Sequence, residues 1–189
     1  SMELKIGSKI AELRKAKGMK LVMYWYVIHA KVDRGSKIVK FFNSQKGVDA
    51  FIPKIEKWHN VKSVKDYVIK DLYPDYVFVK SDMDNEAFNK KFKEFFESIE
   101  GFGELLEYEG VYALKDAEQN LMEKLFNGGH IIKRSIGNIV DKKLIVDTGP
   151  LLGLDDLVVK INRHHRVATL QTEFFDKKIM VPLEVISKS

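Results

Sequence analysis

The chain has 189 residues, enough for one domain or two small ones, and its 45 % hydrophobic and 31 % charged residues read as a soluble globular protein. It contains no cysteine, which excludes a disulfide scaffold, a thiolate zinc site and a cysteine nucleophile, and fits a reducing compartment. The formal net charge is +5, but residues 1–22 hold six Lys/Arg and two Asp/Glu, which leaves +1 for the rest, so any nucleic-acid reading must rest on local clusters.

Residues 1–22 read as a separate basic extension. Ile6, Ile10, Leu13 and Lys17 follow helical spacing, and Gly18 would cap that helix. The stretch IGSKIAELRKAKG resembles the first helix of a helix-turn-helix, but the two helices that should follow it are missing. Ser1-Met2 reads as an expression scar, with Met19 and Met23 as alternative starts. No apolar run approaches the ~18 residues of a membrane span. MKLVMYWYVIHA, 19–30, mimics a signal peptide, but it runs straight into the charged KVDRGSK and is better explained as a buried strand.

YWYVIHAKV, 24–32, is therefore expected as a strand, followed by a short helix over GSKIVKFFNSQ with Ile38, Val39, Phe41 and Phe42 inward. DAFIPKIEKW reads as an extended segment in which Pro53 marks an edge or bulge. YVIKDLYPDYVFVK supplies one or two more strands. DNEAFNKKFKEFFESIEG is the clearest helix: Asp84 is the N-cap, Phe88, Phe92, Phe95, Phe96 and Ile99 form one stripe, and Gly101 ends it. ELLEYEGVYAL is strand-like, and KDAEQNLMEKLF is a last helix ending before Asn127-Gly128-Gly129, the best linker signal in the chain. Beyond it KLIVDTGPL, LVVKIN, RVATLQTEF and KKIMVPLEVI alternate with turn residues, which predicts a small all-β barrel. The expected plan is an extension over 1–22, a mixed domain over 23–126, a linker over 127–136 and a β domain over 137–189.

Three stretches suggest function. In DLYPDYVFVK, Tyr73 and Tyr76 bracket Pro74 at the mouth of a strand, and rigid aromatics there are either core residues or a surface for a partner. NRHHR, 162–166, joins two predicted strands, so Lys160, Arg163, His164, His165 and Arg166 would sit at a hairpin tip. Lys177, Lys178 and a stacking Phe175 would be in a neighbouring turn. This is either an ordinary solvated turn or a narrow phosphate site with a shallow salt dependence, because Asp155, Asp156 and Asp176 oppose a broad one. Lys133 and Arg134, after the Gly-Gly, either touch nucleic acid or, as is more usual for such a pair, are solvated cations. Asp147-Thr148-Gly149 is the aspartic-protease signature, but those enzymes need a second such carboxylate and none occurs. His29, His59, His130, His164 and His165 lack metal-ligand spacing, so the expectation is a non-enzyme without metal or cofactor.

WYV at 25–27, LYPDYVFV at 72–79 and the turn TGPLLGLDD at 148–156, in this order, resemble the NusG family of transcription elongation factors over residues 23–189. Asp75 and Asp156 stand where that family usually has glycine. INRHHRVA at 161–168 and LEVISK at 183–188 look most like its LoaP group of antiterminators. The resemblance implies an α+β fold: an NGN-type antiparallel sheet with flanking helices, then a small SH3-like KOW β-barrel. It also implies a cytoplasmic, monomeric bacterial protein with no membrane partner. Trp25, Tyr73 and Tyr76 would bind the clamp helices of RNA polymerase. The basic turns would bind an RNA hairpin in a nascent leader transcript, or the barrel would instead meet Rho or a ribosomal protein. A ribosome-associated KOW protein is the competing class.

Overall fold

The computed structural model describes residues 22–30, 34–101 and 111–189. The helix expected over 6–17 and most of the ELLEYEG strand lie outside these residues, as does the Ile99 side chain. The chain divides into two compact units, one made of residues up to Ile52 plus Tyr73–Gln119, the other of Pro53–Leu72 plus Asn120–Ser189.

The first unit is built on β1 (Tyr24–His29), α1 (Gly35–Asn43), β2 (Val48–Phe51), β5 (Tyr76–Ser81), α2 (Asn85–Gly101) and β6 (Tyr112–Ala113). Its four strands are antiparallel neighbours in the order β2-β5-β1-β6. Side chains alternate across a strand, and here one face is covered by the helices. Tyr26, Ile28, Ala50, Val77 and Val79 point to the face that receives Ile38 and Phe42 of α1 and Phe88 and Phe92 of α2. Phe88 stacks on Tyr26 at 4.0 Å, and Phe42 meets Phe92 edge-on at 4.9 Å. The phenylalanine stripe therefore works as its spacing predicts, each fully buried ring contributing about 2–3 kcal/mol of transfer free energy. Asp84 caps α2 through Oδ1, which accepts from the Ala87 N–H at 2.9 Å.

The second unit begins where Pro53 breaks the extended segment after β2. β3 (Lys54–Val61) and β4 (Val64–Asp71) form an antiparallel hairpin, and β7 (Ile131–Ile132) joins β3 in parallel. The run 67–80 thus supplies parts of two strands in different units. Helix α3 (Asp116–Phe126) ends at Asn127 and Gly128, which take φ of 49° and 79° as helix C-termini prefer. A five-stranded sheet follows in the order β10-β11-β12-β8-β9, from β8 (Ser135–Val140), β9 (Lys143–Thr148), β10 (Val158–Asn162), β11 (Val167–Phe174) and β12 (Lys177–Lys188). β8 is an addition to the expected strands. It opens inside the segment read as linker and pairs in parallel with β12. Ile139, Val146, Ala168, Leu170, Phe174, Ile179, Val181 and Leu183 are among the buried side chains of this sheet. The molecule is a mixed α/β protein with a β-rich C-terminal part.

Candidate functional site

The face of the first sheet opposite the helices is aromatic. Trp25, Phe51 and Phe78 meet edge-on at 5.7–6.1 Å, and Lys80 lies 4.8 Å over the Trp25 ring. Tyr73 meets Tyr76 edge-on at 5.9 Å and leans on Phe78 at 6.4 Å, while His29 lies 5.0 Å from Tyr76. Register explains the grouping, since Trp25 pairs with Lys80, Val27 with Phe78 and His29 with Tyr76. Trp25 is only 2 % exposed, so of the three expected patch residues it lies buried at the base while Tyr73 and Tyr76 are half-buried at the margin. The Tyr76 N–H donates to the Tyr73 carbonyl at 3.1 Å, closing a turn with Pro74 and Asp75 in the middle. Asp75 keeps a negative φ. The turn is thus not the type II form that demands glycine, and aspartate is accommodated there without backbone strain. Burial, and then the neighbouring Tyr76, push the Tyr73 phenol up to about 12.

The basic residues do not form one surface. Lys160, Arg163, His164 and His165 are exposed at the β10–β11 end, where Asn162 Oδ1 accepts from the His165 N–H at 3.0 Å and fixes the turn. Phe175, Lys177 and Lys178 lie at the β11–β12 turn. The eight residues of β11 separate the two, roughly 20–25 Å at ~3.3 Å per residue. The expectation that these turns are neighbours is therefore corrected: consecutive hairpins of a meander turn at opposite ends of their shared strand. Phe175 takes a left-handed φ of 52° and packs 4.4 Å from the buried Phe174.

Arg166 is not free at the tip. Its guanidinium lies 3.7 Å over the Trp58 ring, and Nη1 is 3.1 Å from both the Tyr67 hydroxyl and Glu184 Oε1. The Tyr67 hydroxyl in turn donates to Glu184 Oε2 at 3.3 Å. Trp58 and Tyr67 are directly paired across β3 and β4, with ring centroids 5.1 Å apart. Burial is the main cause raising the Tyr67 phenol, with Glu184 adding and Arg166 opposing. Arg134 occupies the other side: it lies 4.3 Å over Tyr67 and bonds Glu56 at 2.9 Å through Nη1 and 3.1 Å through its backbone N–H. Arg134 is therefore engaged by the protein itself, and Glu56, Trp58 and Tyr67 join it as residues that the sequence alone does not single out. Glu56 and Trp58 share one face of β3 while Tyr67 joins them only through pairing with β4, so no local pattern marks the group.

The Asp-Thr-Gly segment has a structural explanation. Asp147 Oδ2 accepts from Asn138 at 2.5 Å, and Gly149 sits at φ 100° where a Cβ would come 2.5 Å from the Ser135 Cα. Asp156 lies in a 3-10 turn, Asp155–Leu157, where a negative φ serves and glycine is not required. Among the described residues no group of three or more His, Asp or Glu could hold a metal ion, and no helix is long and apolar enough to cross a membrane.

The family model described as NusG, transcription termination factor nusG, matches residues 23–123, more than half of the chain. No curated protein matches it. The matched segment contains all four strands of the first sheet, the helices α1 and α2 and the β3–β4 hairpin. The chain belongs to the NusG family, whose members are transcription elongation and termination factors.

Proposed function

We propose that the chain is a processive antiterminator of the LoaP type. Residues 23–126 act as the polymerase-binding NGN domain and 137–189 as an SH3-like KOW barrel, connected through 127–136. Tyr73 and Tyr76, set on the rigid base of Trp25, Phe51 and Phe78, meet the clamp helices of RNA polymerase and favour the elongating state. The family match over the segment that builds this aromatic face is the observation that carries the reading. Lys160, Arg163, His164 and His165 contact a hairpin in the nascent leader RNA, and tethering to polymerase raises its effective concentration. Members of the family are non-enzymatic, and this mechanism needs no cofactor: binding energy alone shifts the polymerase between pausing and elongating.

A second reading has its own observation. Val159 and Met180 are each 53 % exposed on β10 and β12, and such apolar side chains suit a protein partner, Rho or a ribosomal protein, better than RNA. Co-purification of the full chain with assembled bacterial elongation complexes tests the shared part of both readings. A folded chain that ignores these complexes rules both out. Electrophoretic shift of a structured leader RNA, absent with a scrambled hairpin, separates the first from the second.

A further inference from the structure

A cleft of about 810 Å³ in the second unit lies between the last turn of α3 and the Thr148–Leu152 turn. Its charged lining is cationic, Lys124, Lys133 and Arg134, with no Asp or Glu among the residues that line it. Arg134 is held by Glu56, but Lys124 and Lys133 are exposed and make no ion pair among the described residues. The Lys124 ammonium reaches across to the turn, where Gly153 leaves room for it: a Cβ there would lie 3.3 Å from Nζ. A lysine in the last turn of a helix is favourable for the helix itself. Lys133 has no such role, because it follows β7 in an extended segment. The rest of the lining includes apolar Ile131, Pro150 and Leu152.

The lining suits a ligand that carries negative charge and an apolar surface together. A nucleoside phosphate has both, and the volume lies in the ~300–1,000 Å³ range of sites for ligands of that size. We propose that this cleft binds one unstacked nucleotide of a single-stranded nucleic acid, with its phosphate on Lys124 and Lys133 and its base against Ile131, Pro150 and Leu152. Sequence-tolerant sites for single strands combine cations along the backbone with side chains that pack against the bases, aromatic ones most often, and here the aliphatic Ile131, Pro150 and Leu152 would take that place. The site is separate from the β10–β11 tip and does not depend on that tip binding RNA.

The test is fluorescence anisotropy of the full chain with a labelled single-stranded oligouridylate, at several salt concentrations. Lys124→Gln/Lys133→Gln is expected to weaken binding about three- to tenfold and to flatten the slope of log K against log salt by about 0.7, the share of the one phosphate the two lysines hold. Lys142→Gln/Lys143→Gln removes the same charge from the exposed β8–β9 turn and is expected to change little. Equal losses in both variants, or no binding by the wild type, overturn the proposal. Uridine monophosphate is expected to compete only far above the oligonucleotide concentration; equal potency would make the ligand a free nucleotide and overturn the polynucleotide assignment. Elongation-complex binding, measured on the same variants, is expected to be unchanged, which keeps this result separate from the polymerase reading.

Discussion

The Arg166 guanidinium lies over the ring of Trp58, 3.7 Å from its centroid, although 108 residues of sequence separate the two. Glu184 and the Tyr67 hydroxyl complete its surroundings, so a residue of the basic β10–β11 turn is drawn back onto the β3–β4 hairpin. A cation over a tryptophan is worth about 0.5–2 kcal/mol, and Trp58→Ala also removes packing. Urea unfolding should show Trp58→Ala losing about 1–3 kcal/mol, in the usual range for a half-buried side chain.

The same contact divides the two arginines of the turn by role. Arg163 is exposed and Arg166 is engaged. If the turn binds leader RNA, Arg163→Ala should weaken binding about threefold to tenfold, by loss of one charge-assisted phosphate contact. Arg166→Ala should act mainly on stability. Parallel RNA titrations and melting curves of the two variants check this, and RNA loss confined to Arg166→Ala would reverse the assignment.

Tyr73 makes the first unit sensitive to alkali. Its phenol is neutral in the fold up to about pH 12, while in the unfolded chain it ionises near its ordinary value of 10. Between those values the unfolded state loses a proton that the folded state keeps, so stability falls as pH rises. The contribution is fully present below pH 10 and is lost through pH 12. The phenolate absorbance of wild type minus Tyr73→Phe should show a step near pH 12, and Tyr73→Phe should have a flatter stability profile over that interval.

Gly149 and Asp147 belong to one motif but should respond oppositely. A Cβ at position 149 would meet the Ser135 Cα at 2.5 Å and the Arg134 carbonyl at 2.8 Å, and the φ of 100° is itself strained for alanine. Gly149→Ala should cost at least about 2 kcal/mol. Asp147→Asn keeps an oxygen acceptor for Asn138 at an exposed site and should change stability by less than about 0.5 kcal/mol. Thermal unfolding of the two variants measures both, and a casein-cleavage assay of Asp147→Asn and wild type should find no activity to lose.

The elements legible in the sequence were those with a local pattern. Phe88, Phe92, Phe95 and Phe96 repeat at helical spacing, and Asp84 sits where a cap belongs, so α2 could be read directly. β8 could not, because its first two residues fall in the segment after the Gly-Gly that reads as linker, and Gly137 and Asn138 weaken the strand pattern of the rest. Gly137 is there because a Cβ would come 2.6 Å from the Ile145 carbonyl oxygen of the paired strand. The aromatic face was half legible: alternation placed Tyr76 and Phe78 together, but Phe51 and Lys80 joined Trp25 through strand pairing alone. The Arg134–Glu56 and Arg166–Trp58 contacts had no local signature, since their partners meet only once the β3–β4 hairpin packs in the second unit.

The central claim is that Tyr73 and Tyr76 present a polymerase-binding surface. Its most direct test is the affinity of wild type and Tyr73→Ala/Tyr76→Ala for bacterial elongation complexes, with circular dichroism confirming that both are folded. The wild type is expected to bind and the folded double variant to lose at least about tenfold in affinity, since two aromatic anchors at an interface each typically contribute ~1–2 kcal/mol or more. Equal affinity for a folded variant would contradict it and leave the two rings as parts of the core.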